Sequence, residues 1–247
     1  FGIPENEYFD VNVGGTKALL NACRSNGIDT FVFFSSVAVY GRGNGVKETD
    51  EPSPISPYGR SKLEAEKLVE EWACEDSRRR ALIIRPTVVF GPRNTANMYN
   101  LIKNVLSGRF RFVGKGDNVK SVAYVENLVA ATLFLLEKTR EGVHIYNYTD
   151  LPDMTVKQLV ETIADTGGIE LSRIRLPKIP VLAVGFFLDL ISRVSGLDLP
   201  ITGQRMRKFM TETRFDSSKI RKEGFVQPIS LKEGFRRTID WIRSESH

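Results

Sequence analysis

The chain has 247 residues, of which 41% are hydrophobic and 26% are charged, which is typical of a globular protein with one large or two small cores. Its 35 Lys and Arg residues exceed its 30 Asp and Glu residues by five, but the two signs are interspersed, so nucleic-acid binding is not indicated. Only two histidines occur, His144 and His247, so neither a metal site nor a Ser-His-Asp hydrolase centre is predicted.

The first predicted elements are a helix over residues 7–26 and a strand over residues 30–35. Apolar residues recur along the helix at helical spacing, and Gly27 follows as the residue that ends it. The continuous apolar run Phe31 to Phe34 is typical of a parallel strand that is covered on both faces. Residues 37–55 are rich in glycine, proline and acidic side chains and predict a loop of the length that binding loops have.

The next predicted helix carries a pair of residues that can move a proton. Ser56 and Pro57 have the residue types of its N-cap and first turn. Tyr58 and Lys62 are four residues apart and share one helical face, where an ammonium favours the ionised phenol. Such a pair alone is weak evidence, because most are solvated neighbours. Ser36, at the carboxyl end of the preceding strand, could orient the reacting oxygen, and the combination predicts a hydride-transfer centre.

The rest of the chain predicts further helices and strands. A buried strand over 81–85 is followed later by a helix over 127–137, a strand over 143–148 and a capping box at Thr155 and Gln158. Ser230 and Glu233 predict the cap of a final helix, which would bury Phe235, Ile239 and either Trp241 or Ile242.

The most apolar stretch, residues 179–188, is far shorter than the roughly 20 residues that a membrane span needs. It predicts a buried helix of a substrate domain. Because Arg175, Lys178 and Arg193 flank it, the alternative is a peripheral contact with a membrane surface that would admit a lipid-linked sugar. The two cysteines, Cys23 and Cys74, have no metal-site or redox spacing and indicate a reducing, cytoplasmic environment.

Several linked motifs carry a family resemblance. They are N-V-G-G-T at 12–16, F-F-S-S-V-A-V-Y-G at 33–41, E-T-D-E-P-S-P-I-S-P at 48–57, Y-G-R-S-K at 58–62, R-P-T-V-V-F-G-P-R at 85–93, G-K-G-D-N-V-K-S-V-A-Y-V-E-N at 114–127 and F-D-S-S-K at 215–219. Together they resemble the extended short-chain dehydrogenase/reductase family, in its NAD-dependent sugar epimerase/dehydratase branch. The resemblance covers nearly the whole chain.

This resemblance implies an α/β fold with two domains. Residues 1–88 and 120–150 would form the C-terminal part of a Rossmann-like doubly wound parallel sheet, and residues 89–119 and 151–247 a smaller α/β substrate-binding domain. The glycine-rich G-x-x-G-x-x-G turn that opens the family's nucleotide domain has no counterpart in the sequence. We therefore expect the chain to be a fragment of a longer protein, the alternative being a relative that has lost cofactor binding.

The resemblance also implies roles for particular residues. The catalytic residues would be Ser36, Tyr58 and Lys62. The cofactor, NAD, with NADP not excluded, would be bound by Ser35, Tyr58, Lys62, Pro86 and Thr87. The substrate would be contacted by Ser36, Val88, Lys120 and Arg205. Val88 replaces an asparagine that often contacts the ligand, and Lys120 replaces an arginine that grips phosphate. Arg205 is our candidate among the basic residues at 205–214, and Asn12 would tie its helix to the active-site strand or be a surface amide.

The implied activity is NAD-dependent epimerisation of a nucleotide-linked or lipid-diphosphate-linked sugar through transient hydride transfer and a keto intermediate. Dehydratase chemistry ranks lower, because Val37 and Ala38 stand where such enzymes often carry an Asp-Glu pair. The alternatives are a reductase or dehydratase acting on another substrate, and a non-catalytic relative without cofactor. A homodimer formed through a helix pair that includes the Tyr58 helix is also implied.

Overall fold

A computed structural model of the protein describes residues 4–172, 174–177 and 211–245. Its helices are α1 (Glu5–Phe9), a π-helical turn (Asp10–Gly14), α2 (Gly15–Ser25), a 3-10 turn (Val37–Tyr40), α3 (Pro57–Cys74), α4 (Asn97–Leu106), α5 (Val125–Lys138), α6 (Val156–Gly167), α7 (Ser218–Lys222) and α8 (Leu231–Ser244). Its strands are β1 (Thr30–Phe34), β2 (Gly43–Val46), β3 (Arg80–Pro86), β4 (Val88–Phe90), β5 (Phe112–Val113), β6 (Val119–Lys120), β7 (Val122–Tyr124), β8 (Gly142–Tyr148), β9 (Met154–Thr155), β10 (Arg175–Leu176) and β11 (Thr213–Phe215).

The chain divides into two compact units. The first reaches to Val89 and includes Ser121–Leu151 and Arg214–Leu231, and the second comprises Phe90–Lys120, Pro152–Thr213 and the residues from Lys232 onward. The apolar run over 179–188 and its two proposed roles lie outside the described residues, as does Arg205.

The first unit is built on a parallel sheet of three strands in the order β1, β3, β8. β1 aligns with β3 over its whole length, and β3 runs beside β8 as far as the pair Pro86–Tyr148. Because the three strands are parallel, their carboxyl ends meet at one edge of the sheet, where open α/β sheets bind ligands. The predicted α/β class with a parallel sheet is confirmed.

Both faces of this sheet are covered by buried apolar side chains, which explains the continuous apolar runs of its strands. On one face a cluster of residues from the sheet, α2 and α3 includes Leu20, Phe33, Val69, Trp72 and Ile83. On the other face a second cluster with α5 and α7 includes Leu82, Ile84, Leu135, Tyr146 and Ile220. Trp72, the largest of these side chains, is fully buried.

The segment Arg214–Leu231 belongs to the first unit, whereas the sequence placed it in the substrate-binding domain. The reason is a set of contacts that no local pattern shows: Phe215 stacks on Tyr40 with ring centroids 6.2 Å apart, and Arg221 donates to the carbonyl oxygen of Thr149 at 2.8 Å. The predicted loop over 37–55 likewise contains the 3-10 turn and β2.

In the second unit, α4 packs on α6, and residues of α8 supply further buried apolar side chains. Phe90 and Phe235 stack with centroids 4.6 Å apart. The capping box of Thr155 and Gln158 is confirmed at the start of α6, and Phe235, Ile239 and Ile242 are the buried residues of the last helix. Within the described part of the chain, no helix combines the length and the apolar character that crossing a bilayer requires.

Candidate active site

Ser36 is held at the carboxyl end of β1. The backbone amide of Ser35 donates to the carbonyl oxygen of Ile84 at 2.8 Å and so continues the pairing of β1 with β3. Ser36 then leaves the sheet as the N-cap of the 3-10 turn, and its Oγ accepts a hydrogen bond from the amide of Ala38 at 3.1 Å. This cap fixes the hydroxyl at the ligand-binding edge of the sheet.

Tyr58 lies in the first turn of α3. The predicted cap is confirmed, since the Oγ of Ser56 accepts from the amide of Gly59 at 3.1 Å and Pro57 is the first helical residue. Asn12 donates to the Oγ of Ser61 at 2.9 Å, and that hydroxyl donates to the carbonyl oxygen of Tyr58 at 2.9 Å. Asn12 therefore ties its π-helical turn to the Tyr58 helix rather than to the strand.

The 3-10 turn and the start of α3 approach so closely that only glycine fits at position 59. A Cβ atom there would lie 2.5 Å from the carbonyl oxygen of Ala38, which is backbone and cannot rotate away. This close approach brings the turn that follows Ser36 against the helix that carries Tyr58.

We expect Gly59→Ala to destabilise the fold by about 1–3 kcal/mol, because the added methyl group forces the turn and the helix apart. Urea unfolding of the variant would measure this loss. The matched control is Gly15→Ala in α2, where a Cβ meets nothing within 4 Å, so the change should stabilise the protein by about 0.5–1 kcal/mol. Equal effects of the two variants would contradict the proposed close approach.

Ser36 and Tyr58 influence one another in the structure. Burial raises the pKa of the Tyr58 phenol, the side chain of Ser36 lowers it in part, and the neighbouring Tyr8 raises it. The rings of Tyr8 and Tyr58 meet edge to face, with centroids 5.8 Å apart. A serine that favours the phenolate is an arrangement suited to proton exchange with a bound hydroxyl group.

Lys62, whose ammonium the sequence predicts to lower the pKa of Tyr58, is held against β1. Its Nζ donates to the carbonyl oxygen of Phe34 at 3.0 Å and lies 5.0 Å from the centroid of the Phe33 ring. Burial lowers the pKa of Lys62, an effect that the carboxylate of Glu66 opposes. The ammonium is therefore anchored on β1, and the side chain of Ser36 also lowers the pKa of Tyr58.

Two predicted cofactor residues carry buried hydroxyls that lack a partner. Among the described residues, three buried side-chain polar atoms have no hydrogen-bond partner: Ser35 Oγ, Thr87 Oγ1 and Trp72 Nε1. Ser35 and Thr87 follow adjacent strands at the carboxyl edge of the sheet, and the buried Pro86 is the last residue of β3. Because buried polar groups are normally paired, these hydroxyls fit a polar ligand such as the nicotinamide end of NAD.

The predicted substrate residues Val88 and Lys120 belong to different units. Val88 begins β4 in the first unit, and 42% of its surface is exposed. Lys120 lies in the second unit, where its Nζ donates to the carbonyl oxygen of Thr211 at 2.6 Å. The structure therefore gathers Ser35, Ser36, Tyr58, Lys62 and the Pro86–Thr87 pair in one unit.

Sequence reasoning missed a buried ion pair next to these residues. Arg85 and Glu66 approach to 2.5 Å, with side chains that are only 3% and 1% exposed. Arg85 interrupts the apolar run of β3, and a charge inside a buried strand needs a partner. Glu66 continues the four-residue spacing of Tyr58 and Lys62, so both members of the pair had a signal in the sequence.

Across residues 4–172, 174–177 and 211–245, no three or more His, Cys, Asp or Glu side chains are grouped so that they could hold a metal ion.

Known proteins resemble this chain in sequence and in fold. It is 38% identical over 240 residues to N-acetyl-alpha-D-glucosaminyl-diphospho-ditrans,octacis-undecaprenol 4-epimerase of Escherichia coli O157:H7, an alignment that covers 96% of this chain and 72% of that protein. It is 29% identical over 241 residues to UDP-glucose 4-epimerase of Vibrio cholerae, covering 95% of this chain and 70% of the relative.

Among solved structures, UDP-glucuronic acid 4-epimerase from Bacillus cereus in complex with NAD superimposes with a TM-score of 0.76 at 22% identity. It covers 100% of this chain and 72% of that chain, and at this identity the likeness shows the fold. The model of the NAD dependent epimerase/dehydratase family matches residues 3–148. The resemblance seen in the motifs is confirmed, and the chain belongs to the NAD dependent epimerase/dehydratase family.

Proposed function

We propose that the protein is an NAD-dependent 4-epimerase of a sugar that is linked through a diphosphate to a lipid or a nucleotide. The observation that carries the proposal is the 38% identity to the undecaprenol-linked sugar 4-epimerase over 96% of the chain. Ser36, which lowers the pKa of Tyr58, and the unpaired hydroxyls of Ser35 and Thr87 supply the groups that such chemistry needs.

Each residue of the site has a role in this proposal. Ser36 holds the reacting sugar hydroxyl, and the Tyr58 phenolate takes its proton and later returns it. NAD, when bound, would supply the hydride acceptor and donor at the sugar carbon. Lys62, Ser35, Pro86 and Thr87 would hold the cofactor, and the ammonium of Lys62 is fixed by the carbonyl oxygen of Phe34.

Both relatives named above act on a sugar that is linked through a diphosphate. Lys120 and Arg205 are the residues that we propose to contact it, as point charge and as bidentate donor respectively. The proposal favours the lipid-linked substrate over the nucleotide-linked one, because the 38% identical relative acts on a lipid-linked sugar and the UDP-glucose epimerase is only 29% identical.

The test is an isotope experiment on the native protein supplied with NAD. Substrates labelled with deuterium at C4, N-acetylglucosamine-diphospho-undecaprenol and UDP-N-acetylglucosamine, are incubated with the protein in ordinary water, and the product is analysed by mass spectrometry and NMR. An epimerase gives the C4 epimer with the deuterium retained at C4, since the hydride leaves and returns within one site. A dehydrated sugar, or oxidation that consumes NAD in proportion to product, would overturn the proposal.

We also propose that the protein acts in the cytoplasm as a homodimer. Cys23 and Cys74 are free thiols, and the exposed Cys74 fits a reducing compartment.

Val11 in the π-helical turn and Leu19 in α2 are 66% and 59% exposed, so apolar surface is available beside the Tyr58 helix for a second copy. Sedimentation of the native protein would distinguish a dimer from a monomer.

A further inference from the structure

A buried chain of hydrogen bonds runs across the first unit beneath the carboxyl edge of its sheet. Arg85 donates to both carboxylate oxygens of Glu66, from Nε at 2.9 Å and from Nη2 at 2.5 Å. Its third nitrogen, Nη1, donates to the hydroxyl of Tyr40 at 2.6 Å, and that hydroxyl donates to Oδ1 of Asn147 at 2.9 Å. We call these four residues the Arg85 network.

Asn147 lies at the far end of the network and is held by three further hydrogen bonds. Its backbone amide donates to the carboxylate of Glu48 at 2.8 Å, and its side-chain amide donates to the carbonyl oxygens of Val46 at 3.3 Å and Asp216 at 3.2 Å. Every side-chain nitrogen and oxygen atom of the four residues thus has a hydrogen-bond partner within the network or in the backbone. A fully paired buried network holds one arrangement, since any displacement leaves a buried polar group unpaired.

Three members of the network lie next to the proposed site residues in the sequence. Glu66 follows Lys62 by one turn of α3 and so lies on the face of the helix that carries Tyr58. Tyr40 ends the 3-10 turn that Ser36 caps. Arg85 lies in β3 two residues before Thr87. The network therefore links the separate elements that present the proton-transfer pair and the cofactor hydroxyls.

We propose that Tyr40 is a positioning residue, which acts through the Arg85 network to hold the 3-10 turn against the start of α3, so that Ser36 stays beside Tyr58. This inference rests on the proposed function of the Ser36–Tyr58 pair. Tyr40 suits this role because its ring is also fixed: it is 4% exposed, packs on Phe215, and lies under the guanidinium of Arg85 with 4.9 Å to the ring centroid. Loss of its hydroxyl would leave the ring in place but cut the link from β3 to the turn.

The variant Tyr40→Phe tests the proposal without changing the charge of the protein. Tyr148→Phe is the matched control, because Tyr148 is 1% exposed and its hydroxyl donates to Asp150 at 2.7 Å, in the cluster on the opposite face of the sheet. The first readout is the Cζ chemical shift of Tyr58 in protein with ¹³C-labelled tyrosine, at neutral pH, assigned by the resonance that Tyr58→Phe removes. Ser36→Ala supplies the shift of a Tyr58 phenol that has lost its serine partner.

We expect Tyr40→Phe to move the Tyr58 resonance toward its value in Ser36→Ala and to lower kcat about tenfold or more, with KM nearly unchanged, since small misplacements at a reacting centre have large rate effects. Tyr148→Phe should leave the resonance in place. An unmoved Tyr58 resonance in folded Tyr40→Phe protein, or an equal movement in Tyr148→Phe, would overturn the proposal. Because the chemical shift needs no turnover, it decides the role of Tyr40 even if the wild-type protein fails as an epimerase.

Discussion

Replacing Tyr58 with phenylalanine is expected to lower kcat for epimerisation by about 100- to 10,000-fold, the contribution that a positioned proton-transfer group makes. Phenylalanine keeps the ring and its edge-to-face contact with Tyr8, so the fold and the site should survive. Only the hydroxyl that meets Ser36 is lost. Steady-state kinetics on the native protein and the variant would measure the loss, which should fall on kcat rather than on KM.

The pH dependence of the two proteins gives a second measure of the same group. Burial raises the pKa of Tyr58, so the fraction of phenolate at neutral pH is small and grows as the pH rises. Turnover that uses the phenolate as base should therefore increase with pH above neutrality. The residual activity of Tyr58→Phe should lack this increase, because phenylalanine has no proton to lose.

Tyr8→Phe is the matched control for Tyr58→Phe. It removes a hydroxyl from the ring that packs against Tyr58 and leaves the contact between the two rings intact. We expect its kcat to stay within a few-fold of the wild-type value, since Tyr58 keeps its own hydroxyl and Ser36 is unchanged. A large loss in the control, or a small one in Tyr58→Phe, would remove Tyr58 from the proposed role.

The residues of the site were predictable from the sequence where local rules place them. The N-cap at Ser56 and the four-residue spacing of Tyr58 and Lys62 depend only on helix geometry, and both are features of α3. The continuous apolar runs of β1 and β3 likewise indicated a covered parallel sheet, whose register places Ser35 and Thr87 at one edge. These signals are short-range, and only the structure shows how α3 packs against the turn that follows β1.

Other properties of the site depend on long-range packing and were out of reach. The hydrogen bond from Tyr40 to Asn147 joins residues that are 107 positions apart. Lys62 was expected to lower the pKa of Tyr58, but its reach to the carbonyl oxygen of Phe34 depends on how α3 packs on β1. Spacing along a helix shows which side chains share a face. It does not show which acceptor the ammonium of a long, flexible lysine side chain will bind.

Arg85→Met is expected to destabilise the protein by about 3–5 kcal/mol, because it leaves the carboxylate of Glu66 buried without its partner. Glu66→Leu should destabilise the protein by a similar amount, since it leaves the guanidinium of Arg85 buried without its carboxylate partner. Both side chains are almost completely buried, so water cannot replace the missing contact. Urea unfolding of the two single variants and of the double variant measures each loss and the coupling between them.

An exposed ion pair supplies the comparison. Arg60 and Glu5 approach to 2.6 Å, but their side chains are 43% and 56% exposed. Solvent screens such a pair, so Arg60→Met should change the free energy of unfolding by no more than about 1 kcal/mol. If Arg85→Met cost as little as Arg60→Met, the buried pair would not be an interaction on which the fold depends.

The double variant Glu66→Leu/Arg85→Met separates stability from positioning. Two apolar side chains of similar size fill the same space without a buried charge, so most of the lost stability should return. Methionine cannot donate to the hydroxyl of Tyr40, however, so the link from β3 to the Ser36 turn stays broken. We therefore expect the double variant to unfold near the wild-type urea midpoint and still turn over slowly. Recovery of both properties would mean that the pair serves the fold alone, and that Tyr40 is held in place by its ring contacts.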